Sequence, residues 1–130
     1  GAESRHNLAY WERRSYEAVG PGAHAFDGVR RRWNAARLDA WLEALTPARG
    51  ASAALPPGDG EELDAATAAT EELILGLRMA HGVARSRALA HPEPMAWAHE
   101  AGLVEDAPGE RVRLTLRGRL LSNELFARLI

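Results

Sequence analysis

From Leu63 onward the apolar positions fall at helical spacing: Leu63, Ala66, Thr70, Leu73, Ile74, Leu77 and Ala80. That spacing predicts a helix of about five turns over residues 61–81. Asp59 followed by Glu62 gives it a start like an acidic capping box, and Gly82 gives it a stop. Gly76 inside the helix should cost up to about 1 kcal/mol against Ala, so a close crossing with another helix is expected there. Pro94 opens a second helix running to Ala101, with Gly102 ending it. Next, LVEDAPGERVRLT sets a Pro-Gly turn before an alternation of Val112 and Leu114 against Arg111, Arg113 and Thr115, the pattern of a small hairpin. Thr115 is placed to cap a final helix carrying Leu116, Leu120, Leu121, Leu125, Phe126 and Leu129. Helix, helix, hairpin, helix is a winged-helix-like order, with Leu73 and Leu77 expected to pack on the final helix.

Upstream the period is different. Residues 1–34 alternate aromatic and small side chains, carry Gly20, Gly22 and Gly28, and show strand or loop signals. Leu38, Trp41, Leu42 and Leu45 mark a short amphipathic helix that Thr46-Pro47 stops. The stretch PARGASAALPPGDG, 47–60, reads as a linker. No internal repeat is visible.

Composition narrows the classes. A chain of 130 residues with 46% hydrophobic and 26% charged residues is of single-domain size and ordinary globular composition. A formal charge of −2 offers no global positive field to attract nucleic acid or an anionic membrane. Every basic residue is Arg, a bias that a GC-rich genome explains as well as chemistry does. The absence of cysteine excludes disulfides, a cysteine nucleophile and ligation of an iron–sulfur cluster by these residues. No apolar run approaches the ~20 residues of a membrane span, so no transmembrane segment is expected.

Few residues form a recognisable chemical set. The segment PMAWAHEA, at the place of a recognition helix, has no Arg or Lys and one Glu, so no nucleic-acid partner is expected. Clustered arginines at 30–32 and at 111, 113, 117 and 119 read as solvated faces. The five histidines form no HExxH pattern, and none of Ser4, Ser15, Ser52, Ser86 or Ser122 sits in a nucleophile elbow. No protein metal site and no catalytic set are expected. Two stretches remain. In AVGPGAHAF, Gly20-Pro21-Gly22-Ala23 offers bare backbone for close approach of a planar or nucleotide ligand, with His24 as a polar handle; a plain turn is the alternative. In RHNLAYW, His6 and Tyr10 are residue types that ligate haem iron, and a packed aromatic strand is the alternative. Read as a strand, it sets His6 and Tyr10 on one face and Asn7 on the other.

The succession ESRHNLAYW, then Tyr16, VGPGAHAF, Arg31 and Asn34 resembles the end of the catalytic core of radical S-adenosylmethionine proteins related to oxygen-independent coproporphyrinogen III oxidase. EELILGLRMAHGV, GLVE and VRLTLRGRLLSNELF are similar to that family's C-terminal domain, so the resemblance spans nearly the whole chain apart from 47–60. HNLxYW resembles the HemW-type haem chaperones, whose HNxxY motif is implicated in haem binding; the match falls on His6, Asn7 and Tyr10, beside Trp11. GPGAH resembles the family segment near the S-adenosylmethionine pocket, matching Gly20, Pro21, Gly22, Ala23 and His24; Ala18 and Ala25 stand where the family usually has Gly and Ser.

The resemblance implies residues 1–46 as the end of a radical S-adenosylmethionine core, 47–60 as a linker and 61–130 as the family's helical C-terminal domain. The implied fold class is α+β, mainly α, with short N-terminal strands from a partial barrel before a helical domain with a small hairpin. The family's CxxxCxxC motif lies upstream of the matching segments, so Gly1 is expected to lie inside a longer cytoplasmic protein, and this chain alone to be catalytically inert and to hold no cofactor. The parent is expected to hold a 4Fe-4S cluster, S-adenosylmethionine and haem, and to pass haem or a porphyrin to an accepting protein. An exposed strand edge would favour self-association. Two other functions remain open: a coproporphyrinogen III dehydrogenase, against which HNLAYW argues, and a winged-helix-like protein-interaction module.

Overall fold

The computed structural model describes residues 4–46 and 58–130. The fold is α+β, mainly α, with seven helices and two three-stranded antiparallel sheets among the described residues. It divides into two compact units, one combining the segment up to Arg13 with Ala65–Ile130, the other Arg14–Asp64. The linker expected at 47–60 lies outside the described residues up to 57; its last three positions belong to a strand.

In the larger unit, residues Arg5–Trp11 form helix α1. This corrects the strand reading of RHNLAYW. Ser4 Oγ accepts the Asn7 N–H at 3.4 Å, and a capped turn satisfies local donors that a strand would have to pair across a sheet.

The smaller unit is built on one sheet. Strands β1 (His24–Phe26), β2 (Arg30–Asn34) and β3 (Gly58–Glu62) pair antiparallel in the order β1-β2-β3. Tyr16 bridges Phe26 on the side of β1 away from β2. Helix α2, Leu38–Leu45, follows β2 as its spacing predicts. The capping-box reading of Asp59 and Glu62 is overturned, because β3 sets Glu61 and Glu62 opposite Arg31 and Arg30. An arginine-rich strand finds acidic partners across the ladder, with Arg31 and Glu61 at 3.5 Å.

The remaining elements return to the larger unit. Helix α3 spans Ala65–Leu77, shorter than the periodicity predicts because β3 takes its first residues and a turn takes its last. Then follow β4 (Val83–Ala84), α4 (Arg85–Ala88), α5 (Pro92–Glu100), β5 (Val104–Ala107), β6 (Arg111–Leu114), α6 (Leu116–Leu120) and α7 (Ser122–Leu129). Strand β6 lies between β4 and β5, so helix, strand, two helices and hairpin follow in winged-helix-like order. Thr115 Oγ accepts the Gly118 N–H at 2.9 Å, the expected cap.

One core ties these elements together. Leu73 and Leu77 of α3 meet Met95 and Ala98 of α5, Val112 and Leu114 of β6, and Leu125, Phe126 and Leu129 of α7. At its rim the Arg78 guanidinium lies 4.8 Å from the Phe126 ring centroid, and that of Arg128 4.1 Å from Trp97. The expected single final helix is broken at Leu121, which leaves the α-helical region, and Leu116 and Leu120 stay exposed.

Candidate functional site

Helix α1 presents two faces to different environments. Leu8 and Trp11, three residues apart, are partly buried and turn toward the C-terminal elements of the same unit, where the chain forms two clefts. The larger, about 430 Å³, is lined by Trp11, Glu72, Gly76, Met79, Val83 and Arg111 among others. The smaller, about 310 Å³, includes Leu8, Trp11, Met79, His81 and Arg119.

The other face carries His6, Asn7 and Tyr10, all exposed. At helical spacing His6 and Tyr10 meet edge to face one turn apart, ring centroids 4.9 Å from each other with an interplanar angle of 82°. The helix brings the two aromatic donors onto one surface, as the strand reading also did, but by a different geometry. It moves Asn7 from the opposite face to the flank, one turn before Tyr10 and Trp11. An imidazole and a phenol on one exposed surface are both competent axial donors to a haem iron.

Trp11 ends the helix, and Arg13 locks the exit. Glu12 N–H donates to the Leu8 carbonyl at 2.8 Å and Arg13 N–H to that of Tyr10 at 3.0 Å. Arg13 takes φ +53°, a left-handed conformation that glycine usually fills after a helix. Its guanidinium reaches α3, donating to the Ala68 carbonyl at 3.0 Å and to Glu71 Oε2 at 3.1 Å. Sequence reading missed this pair because 58 positions separate the partners.

The second candidate set, Gly22, Ala23 and His24, lies in the other unit. Gly20 and Gly22 adopt φ +101° and +67°, so the loop depends on glycine at both positions. The Gly22 N–H donates to the Ala35 carbonyl at 3.0 Å and the Ala23 N–H to that of Gly20 at 3.4 Å. These donors hold the loop's own shape. Beneath it lies Asn34, 1% exposed, whose Nδ2 donates to the Gly20 carbonyl at 2.9 Å and to that of Ala18 at 3.3 Å. Arg32 donates to Asn34 Oδ1 at 2.8 Å, so both ends of the amide are used. Asn34 stood in the resembling succession without a role; its burial identifies it as the loop's brace. A Cβ placed on Gly20 would meet nothing within 4 Å, which leaves the outer side of the loop open to a ligand. His24 begins β1 with its ring 6.0 Å from that of Trp33.

Cysteine is absent, and the described residues contain no group of three or more His, Asp or Glu side chains placed to hold a metal. No helix among them is long and apolar enough to cross a membrane.

The whole chain aligns with proteins of one name. It is 37% identical over 130 residues to "Heme chaperone HemW" of Mycobacterium tuberculosis (strain ATCC 25618 / H37Rv), covering 100% of this chain and 32% of that protein. The protein of the same name from strain CDC 1551 / Oshkosh gives the same values. With that of Bacillus subtilis (strain 168), identity is 31% over 135 residues, covering 97% of this chain and 34% of the relative. The chain therefore spans about a third of the length of the curated relatives it matches. No family model and no solved structure matches it.

Proposed function

Because the chain belongs to the HemW family, we propose that it is the C-terminal part of a haem chaperone in which α1 presents His6, Asn7 and Tyr10 to haem. The observation that carries this reading is the edge-to-face contact of His6 with Tyr10 on the exposed face of a capped helix. Two donors one turn apart can approach the same side of a planar ligand, and Asn7 adds a polar group beside them. On the opposite face Leu8 and Trp11 line a cleft with Met79 and His81 of the same unit.

The GPGAH loop fits a supporting role in the complete protein. Its outer side is open, its shape is fixed from beneath by Asn34, and His24 stands at its end, an arrangement suited to contact with S-adenosylmethionine. The cluster ligands would come from cysteines elsewhere in the parent. A cytoplasmic setting and a haem-accepting partner protein belong to the same proposal.

Haem titration of the full-length protein tests the site through the Soret band. His6→Ala and Tyr10→Phe are expected to weaken or shift the bound spectrum, whereas His91→Ala leaves it unchanged. Loss of the spectral change in His91→Ala, with both motif variants intact, would remove haem from α1.

A further inference from the structure

The helix that carries the candidate haem donors is weakly fastened. It has seven residues and buries none of them fully. A helix this short is unstable in isolation, so its position must come from tertiary contacts. Arg13 makes a well-shielded polar contact at the end of the segment, with side-chain exposures of 11% for Arg13 and 23% for Glu71. Ala68 and Glu71 lie three positions apart on α3, so one guanidinium grips a single turn by a carbonyl and a carboxylate.

The backbone reinforces the point. At φ +53° an arginine is held in a conformation that costs an L-residue free energy and glycine little. A turn that needed only to end α1 would be better served by glycine. The strain is therefore offset by what the side chain does on α3.

We propose that Arg13 and Glu71 are positioning residues for the haem-binding face of α1: their ion pair fixes the rotation and placement of the helix, and thereby the direction in which His6 and Tyr10 point. This rests on the assignment of haem to α1 made above. The pair touches no ligand and acts only through the helix.

Arg13→Gly separates positioning from folding, because it removes the grip while relieving the strained turn. In the full-length protein, amide hydrogen exchange over residues 5–13 should accelerate about tenfold in Arg13→Gly, and the haem Kd should rise about tenfold, with the thermal midpoint of the whole protein unchanged. The charge-exchanged double variant, Arg13→Glu with Glu71→Arg, restores the opposite charges but not the bond to the Ala68 carbonyl, and should recover both readouts in part. Unchanged exchange in Arg13→Gly overturns the clamp. Faster exchange with unaltered haem affinity, while His6→Ala destroys binding, overturns the positioning role and leaves the haem site standing. If His6→Ala and Arg13→Gly both bind haem like wild type, the haem assignment fails and the positioning role fails with it, while the exchange data still report whether the clamp exists.

Discussion

Single residues set the local geometry in both units, and Asp27 is one whose protonation can be followed. Its carboxylate accepts the backbone N–H groups of Arg30, at 2.7 Å, and Val29, at 2.9 Å, and so closes the turn between β1 and β2. Those hydrogen bonds, Arg30's foremost, favour the charged form and hold the carboxyl below the usual aspartate range. A depressed folded pKa means that the stabilisation is present above the unfolded value of about 4 and is lost as pH falls through the folded one. In an NMR titration the Asp27 carboxyl should therefore show a midpoint below that of a free aspartate, with the Arg30 amide resonance moving alongside. Asp27→Asn retains an acceptor oxygen and should keep the turn while abolishing that pH dependence. A midpoint at or above the ordinary value would show that the turn does not draw on the charge.

At the scale of elements, close approach decides what a glycine is worth. Gly76 was expected to permit a helix crossing, but the neighbour a Cβ there would strike is the Val83 side chain of β4. Val83 is buried and β-branched, so it has little freedom to yield. Gly76→Ala gains up to about 1 kcal/mol of helix propensity and incurs an overpacking cost of about 1–3 kcal/mol. The variant should lose up to about 2 kcal/mol and unfold at lower denaturant concentration; a raised midpoint would show that Val83 yields to the added methyl.

The same scale explains what could be read in the sequence. The α5 segment, the hairpin, the Thr115 cap and the α3 core residues Leu73 and Leu77 were legible because each follows from local spacing or a local cap. Helix α1 was not, since two turns give too few positions to separate a helical period from alternation. β3 was misread because GDGEE satisfies a local capping pattern, yet its partner is the arginine strand 30 positions earlier. For the candidate site, the residue types were legible at His6, Asn7 and Tyr10, whereas the faces they share and the Arg13 contact depend on tertiary packing.

For the molecule as a whole, charge placement matters more than charge count. A winged-helix-like order poses the question of DNA, which such folds meet through a recognition helix in the major groove and basic side chains on phosphates. Helix α5, in the recognition position, reads PEPMAWAHE, with Glu93 and Glu100 exposed and no arginine. In the same unit three arginines pair with carboxylates: Arg85 with Asp106 at 3.0 Å, Arg113 with Glu105 at 2.8 Å, and Arg87 with Glu72. A phosphate contact by any of the three would have to break such a pair and leave a carboxylate near the DNA backbone. Phosphate neutralisation supplies most of non-specific affinity, so this surface should gain little from it. In fluorescence anisotropy at physiological salt the wild-type protein should show no tight, sequence-selective retention of duplex DNA. Replacing the three acids together, Glu72→Gln, Glu105→Gln and Asp106→Asn, should create weak binding that falls steeply as salt rises and does not depend on sequence. Selective retention by the wild type would show that the paired arginines exchange their carboxylates for phosphates, and that α5 reads bases without a basic side chain.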